Sequence, residues 1–181
     1  MSEPAERGAL TQRAAVASVA TALFLLALKG WTALQTDSVA MLASLADTGL
    51  DIVASLVTLF SVRLAAEPAD RQHRFGHGKA EALSALFQAG IITASALAIA
   101  WRGLSRMGDT SAPDHPELGI GVSLIAMIAT GTLVLYQRGI VKKTGSNAIR
   151  ADHTHYSSDI LLNAGVILAL VLDAMLGIRG A

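Results

Sequence analysis

Two aspartates, Asp47 and Asp51, stand four residues apart inside an otherwise apolar stretch of the chain. Side chains at this spacing lie on one face of an α-helix, so both carboxylates would point the same way. A carboxylate near the centre of a bilayer costs about 2.5–3.5 kcal/mol on insertion scales. Pairing with Lys29 or an arginine for packing alone is one explanation, but charged groups inside membranes more often mark ion or proton pathways. The two carboxylates therefore predict a functional site in which another group compensates their charge.

His155 and Asp159 offer the same spacing in a later apolar stretch. Imidazole nitrogen and carboxylate oxygen are both ligands of zinc, which binds four of them tetrahedrally at about 2.0–2.2 Å. With Asp47 and Asp51 they would neutralise a divalent cation in a low-dielectric setting. Without the cation, repulsion between close carboxylates favours proton uptake, so metal release and proton uptake are coupled. We predict that these four side chains meet and hold a divalent metal.

Composition indicates a membrane protein. Of the 181 residues, 52% are hydrophobic and only 15% are charged, whereas charged residues make up about a quarter of ordinary soluble domains. The absence of cysteine excludes disulfides and thiolate metal sites. A net charge of zero gives no support for a nucleic-acid partner, so the expected surroundings are membrane lipid.

Apolar runs of about twenty residues suffice to cross a bilayer, and the sequence predicts several. We expect an all-α membrane protein, a bundle of five transmembrane helices after an N-terminal tail at 1–13. No small-residue cleavage site follows the first run, which is interpreted as a retained helix rather than a signal peptide. The predicted helices of this domain, 14–181, are 14–34, 39–64, 80–107, 117–136 and 151–177.

The distribution of lysine and arginine predicts the orientation. With five spans, the N-terminal tail and the second and fourth connections lie on one side of the membrane. That side collects most of the basic residues: Arg7, Arg13, Arg63, Arg71, Arg74, Lys79, Arg138, Lys142, Lys143 and Arg150. The positive-inside rule therefore predicts a cytoplasmic N-terminus.

A second constellation, Asp70, His73 and His77, falls in the longest connection. The two histidines are spaced for one helical face, but Gly76 and Gly78 make a regular helix doubtful there. A solvated loop with incidental histidines explains the residues as well as a metal site does, so both alternatives stay open.

Other polar residues have simpler interpretations. Asp152 and His153, near the start of the fifth predicted helix, are interpreted as interfacial polar residues rather than ligands, although either could relay metal or protons. Lys79 beside Glu81 is typical of ordinary charge at a helix end.

Three stretches together resemble the cation diffusion facilitator family of metal/proton antiporters: Ser44 to Ser55, Pro68 to Glu81, and Arg150 to Asp159. The middle one, with His-Arg-Phe-Gly-His-Gly-Lys-Ala-Glu before the third helix, is the most specific. The resemblance extends over nearly the whole chain. It implies a tetrahedral transport site, which maps to Asp47, Asp51, His155 and Asp159.

The resemblance to the bacterial zinc/iron efflux branch also implies a second metal site, which maps to Asp70, His73 and His77. Lys79 matches a lysine that family members use in a charge network at a homodimer interface. Such proteins usually have six spans followed by a cytoplasmic domain, so this chain is expected to be truncated after its fifth helix and to dimerise when full-length. The expected location is the bacterial cytoplasmic (inner) membrane.

Three functions fit these residues. The leading hypothesis is a secondary active transporter that exports Zn²⁺, with Fe²⁺ or Cd²⁺ as alternatives, in exchange for protons, because imidazole suits these metals better than manganese. A membrane scaffold or sensor would bind metal without moving it. An intramembrane hydrolase using Asp47 and Asp51 is disfavoured, since no His-Glu-x-x-His occurs and four protein ligands leave zinc no open position. No catalytic residue and no resident cofactor are predicted.

Overall fold

The computed structural model describes residues 4–36, 39–105 and 116–176. Five α-helices account for nearly all of them, and no strand occurs within these ranges. The all-α fold is thereby confirmed. The helices are α1 (Pro4–Thr36), α2 (Val39–Ala65), α3 (Lys79–Ser105), α4 (Pro116–Thr144) and α5 (Asn147–Leu176).

The first helix begins earlier than predicted. α1 starts at Pro4, so most of the stretch assigned to a tail is helical. Proline suits the first turn of a helix because an N–H at that position would have no partner within the helix. The negative charge of Glu6 in the same turn is stabilised by the positive end of the helix dipole. The apolar pattern misses the first part of α1 because that part is rich in polar residues, although Thr11 is buried and Leu10 packs against the core.

The connection between α4 and α5 is much shorter than the predicted polar segment at 137–150. α4 continues to Thr144, with Lys142 and Lys143 in its last turn, where positive charge favours a helix end. Gly145 then takes a left-handed conformation (φ 69°), and its N–H donates to the carbonyl of Val141 at 2.9 Å. This bond caps α4 and lets the chain reverse within two residues. The predicted loop at 108–116 and the predicted ends at 107 and 177 lie wholly or mostly outside the described residues.

Glu81 of α3 anchors the start of α5. Its Oε2 accepts hydrogen bonds from Ser146 Oγ at 2.8 Å and from the backbone N–H of Asn147 at 2.9 Å. Ser146 Oγ in turn accepts from the N–H of Ile149 at 3.3 Å, which makes Ser146 the N-cap of α5. Glu81 therefore links the start of α3 to the start of α5, in addition to carrying charge at a helix end.

Replacing Glu81 by alanine should lower the free energy of unfolding by about 1–2 kcal/mol, because a helix cap and a hydroxyl lose their shared acceptor. Thermal unfolding in detergent would measure the change. Glu67→Ala, in the exposed connection after α2, is the control and should leave the midpoint unchanged. Equal shifts in both variants would contradict the anchoring role.

Four helical segments are long and apolar enough to cross a membrane: Ala5–Gln35, Ser44–Ala65, Lys79–Trp101 and Ile120–Thr144. The fifth predicted span lies in α5, which is not one of these four when the described residues are searched. α5 has 30 residues, roughly 45 Å of helix, so its length exceeds the hydrocarbon core of about 30 Å. Its first half carries the polar residues considered below.

The bundle buries both polar and mostly small apolar side chains, and many of its large apolar side chains are exposed. α1 packs against α2 and α4, α3 packs against α2 and α5, and α4 packs against α5. Small residues such as Ala14, Ala54 and Ala148 are fully buried and allow the helices to approach closely. Large apolar side chains such as Phe60 and Leu135 are exposed. This arrangement suits a bundle surrounded by lipid.

Candidate metal centre

The polar faces of α2 and α5 meet at Asp51, His155 and Asp159. His155 Nε2 lies 3.1 Å from Asp51 Oδ1 and 3.8 Å from Asp159 Oδ2, and all three ligand atoms lie within 4.8 Å of one another. Ligand atoms around one tetrahedral zinc ion stand roughly 3.3 Å apart. One nitrogen and two carboxylate oxygens are thus already spaced for a shared divalent cation.

Asp47, the fourth predicted ligand, lies outside this group of three but borders the same cavity. The cavity has a volume of about 500 Å³, and all four predicted ligands line it. Exposure decreases from Asp47, which is exposed, to Asp159 (31%), Asp51 (16%) and His155 (4%). The structure therefore brings three predicted ligands into mutual reach and places the fourth at the more open part of the cavity.

Lys29 of α1 brings a positive charge to this cavity. Its Nζ donates a hydrogen bond to Thr48 Oγ1 at 2.8 Å, and Thr48 in turn donates to the carbonyl of Ser44 at 3.1 Å. Lys29 and Ser44 also line the cavity. An ammonium group beside several carboxylates reduces their mutual repulsion, which would help the cavity tolerate the absence of a cation.

A second layer of contacts supports the site. Tyr156 Oη lies 2.8 Å from Ser55 Oγ and donates to the carbonyl of Ser18 at 3.3 Å. Ser55 is one helical turn from Asp51, and Tyr156 adjoins His155, so this bond fixes both elements that carry ligands. Nothing in the sequence predicts that Ser55 and Tyr156 meet, although Ser55 continues the face of α2 that carries Asp51.

Asp152 is fully buried at the centre of the bundle, so its interpretation as an interfacial residue was wrong. Its Oδ2 accepts from Ser18 Oγ at 2.5 Å and from Gln137 Nε2 at 2.6 Å, and its Oδ1 accepts from Gln88 Nε2 at 3.2 Å. The residue lies one turn from His155 and Tyr156 on α5, and hence on the face that α5 turns inward.

Asp70, His73 and His77 form a second group in the connection between α2 and α3. Asp70 Oδ1 lies 3.4 Å from His73 Nδ1, and Asp70 Oδ2 lies 3.8 Å from His77 Nε2. All three ligand atoms lie within 4.8 Å of one another. Gly76 has φ 77°, so this segment is not a regular helix, as the glycines indicated. The structure therefore brings the three side chains together, within reach of a shared cation.

Backbone hydrogen bonds stabilise the charged form of Asp70. Its Oδ1 accepts from the N–H groups of His73 and Gln72, at 2.5 and 2.8 Å. The bond from His73, followed by the weaker effect of Gln72, holds the pKa of the Asp70 carboxyl below its usual range despite some desolvation. The carboxylate is therefore charged at neutral pH, and its hold on the loop weakens only as the pH falls through that lowered pKa.

A lipid-facing helical bundle with two groups of nitrogen and oxygen donors defines a helical membrane protein with two candidate cation sites. Comparison with known proteins places it within one family: the cation efflux transmembrane domain matches residues 15–180. The chain belongs to this family, and membership in the cation diffusion facilitators is confirmed.

Curated relatives include proteins named cation-efflux pump FieF. The protein of Pectobacterium carotovorum subsp. carotovorum is 47% identical over 164 residues, which cover 91% of this chain and 55% of the relative. The protein of Salmonella arizonae is 46% identical over 166 residues, or 92% of this chain and 55% of the relative. The chain thus spans about half the length of the curated relatives it matches.

Proposed function

We propose that the chain forms the membrane part of a cation-efflux transporter that carries a divalent metal as its substrate. The observation that carries the proposal is the meeting of Asp51, His155 and Asp159, from two helices, in one cavity. Asp47 completes the proposed ligand set from the same cavity. The relatives' name, cation-efflux pump, supports the same class of function.

Zinc is the proposed substrate, with Fe²⁺ and Cd²⁺ as the next candidates. A nitrogen donor among carboxylates suits these ions, whereas an all-oxygen set suits manganese. His155 is the nitrogen donor of the group of three. The choice of metal therefore depends on this one imidazole.

We further propose that metal leaves in exchange for protons. The ligand cluster combines carboxylates in a confined space, where repulsion favours binding either of a cation or of protons. Metal affinity should accordingly fall as the pH falls, because protons compete for the same atoms. The basic residues predicted on one side support a cytoplasmic N-terminus, and the proposed location is a bacterial inner membrane.

Metal-driven proton flux in proteoliposomes tests this proposal. The chain would be reconstituted with a pH-sensitive dye inside, and Zn²⁺, Fe²⁺, Cd²⁺ and Mn²⁺ would be added in turn. Zinc that enters in exchange for protons leaves the interior more alkaline, so zinc-dependent alkalinisation that is absent from empty liposomes supports exchange, whereas acidification contradicts it. Zinc binding without any flux would favour the alternative, a scaffold or sensor that holds metal without moving it.

The loop group is proposed as a second, auxiliary metal site. Asp70→Ala should reduce zinc flux less than tenfold, since the group lies outside the cavity and has exposed members. Asp70→Asn is the matched variant, because its amide oxygen can still accept the bonds from His73 and Gln72. Zinc titration by calorimetry should show one site weakened in both variants. Complete loss of flux would contradict the auxiliary role.

A homodimer is the proposed assembly of the longer protein. Lys79 is exposed at the start of α3, which leaves its charge available to a second copy. Cross-linking of the parent protein with and without Lys79→Ala tests this assignment, and unchanged dimer content would argue against it.

A further inference from the structure

A layer of five polar side chains closes the bundle beside the metal cavity. It takes one residue from each helix, and we call it the polar layer: Ser18, Thr58, Gln88, Gln137 and Asp152. Every member is 0% exposed. Asp152 is bonded to three of the others, and Gln88 Nε2 also donates to Thr58 Oγ1. One hydrogen-bond network therefore ties all five helices together.

The cavity lies wholly on one side of the polar layer. α2 and α5 run in opposite directions: Asp51 contacts His155 in the cavity, whereas Thr58, which follows Asp51, and Asp152, which precedes His155, both bond to Gln88 in the polar layer. Residues that line the cavity follow the layer in α1, α3 and α5 and precede it in α2 and α4, which is the same side of the bundle in every case. Representative lining residues are Leu25, Asp51, Ile91, Thr130 and His155.

Exposure falls steadily from the cavity to the polar layer. Asp47 is exposed, Asp51 is 16% exposed, His155 is 4% exposed and Asp152 is fully buried. A cation at the metal centre could thus leave by way of Asp47, whereas the path past Asp152 is blocked. The structure corresponds to a state that is open on one side of the site only.

We propose that the polar layer is the gate that closes the metal site on the side where α5 begins, with Asp152 as its central positioning residue. This inference rests on the proposed transport function. Charge asymmetry predicts that side to be cytoplasmic, so the gate must open before a metal can enter the site. Opening requires the bonds from Ser18, Gln88 and Gln137 to Asp152 to break.

The chemistry of the polar layer suits a closure that opens. Gln88 Oε1 and Gln137 Oε1 are buried without a hydrogen-bond partner among the described residues. Unpaired buried acceptors disfavour the closed state, and water entering an opened gate would pair them. The hydrogen bonds to Asp152 therefore stabilise the closed state of the gate, whereas hydration of the two unpaired amide oxygens would stabilise the open state.

Thiol labelling can test the gate in the absence of metal. Because the chain contains no cysteine, a single introduced cysteine is its only thiol. Ser84→Cys reports on the closed side: Ser84 is 3% exposed and lies one turn from Gln88, away from the cavity. Ser95→Cys reports on the cavity, which Ser95 lines. The rate of reaction with a water-soluble maleimide would be measured for each reporter in detergent, where both sides are accessible.

Asp152→Asn should raise the labelling rate of the Ser84→Cys reporter about tenfold and lower that of Ser95→Cys, because loss of one network bond shifts the two-state balance. Ser18→Ala should change both labelling rates in the same directions. It replaces Asp152→Asn as the test variant if Asp152→Asn does not fold. Thr154→Val, which removes a bond to the α5 backbone only, is the control and should change neither rate.

Faster labelling of both reporters would indicate loosened packing and overturn the gate, as would an unchanged rate at Ser84→Cys in both variants. Failure of zinc flux would instead count against the proposed function alone, since the labelling experiment contains no metal. The two failures are therefore distinguishable.

Discussion

Alanine at position 51 should abolish metal binding in the cavity and reduce zinc-driven proton flux at least about a hundredfold. Asp51 is the one member of the three-residue group that α2 contributes, and its Oδ1 lies 3.1 Å from His155 Nε2. Removing one partner from a largely buried charged group costs roughly 3–5 kcal/mol, since the remaining charges lose their compensation. Without Asp51, only the two proposed ligands on α5, His155 and Asp159, remain in the group of three.

Zinc titration by calorimetry and flux in proteoliposomes would measure the effect of Asp51→Ala. Asp47→Ala is the matched comparison, because it deletes the same group one turn away on the same helix, at the proposed ligand that lies at the more open part of the cavity. Asp47 is exposed and lies outside the group of three, so we expect a loss of about tenfold only. A larger loss in Asp47→Ala than in Asp51→Ala would contradict the geometry on which this ranking depends.

Spacing along a helix explains what the sequence predicted well. Residues four apart share a helical face whatever surrounds them, so the pairs at Asp47 and Asp51 and at His155 and Asp159 could be found without a fold. The cost of charge in lipid then suggested that the two pairs meet. Their assignment as metal ligands remains a prediction, whereas the proximity of Asp51, His155 and Asp159 is now a structural observation.

Contacts that join more than two helices could not be predicted in this way. Asp152 looked interfacial because it stands near the start of α5, but burial depends on how five helices pack around it. Nothing in the spacing of Ser18, Gln88 and Gln137, which lie far apart in the chain, indicates a shared carboxylate. Long-range side-chain pairing is a property of the packed bundle, not of any one segment.

Helix ends were mispredicted for a related reason. The apolar pattern stops at the predicted ends of α1 and α4, where the sequence turns polar, but both helices continue beyond them. Thr11 and Gln137 lie past those ends and are buried, and local capping at Gly145 and Ser146 ends α4 and starts α5. Glycine and serine are common capping residues, so a short turn at these two positions is compatible with the sequence. The polar composition around them nevertheless favoured a longer loop.

Exchanging the imidazole for a carboxylate, His155→Asp, should weaken zinc binding about tenfold to a hundredfold and shift the preference of the site toward manganese. His155 supplies the nitrogen donor of the group of three and is 4% exposed. Its replacement leaves an all-oxygen site, and such sites favour harder cations than zinc. The added negative charge also strengthens repulsion among the carboxylates, so protons should compete more strongly with any metal.

Competition between Zn²⁺ and Mn²⁺ in the flux assay would measure this shift. His153→Asp makes the same exchange two residues away on α5, at a position that does not line the cavity, and should leave the preference for zinc intact. An unchanged preference in His155→Asp would remove the imidazole from the ligand set. The same shift in both variants would point to a general charge effect near α5, because a ligand exchange acts only where the exchanged atom contacts the metal.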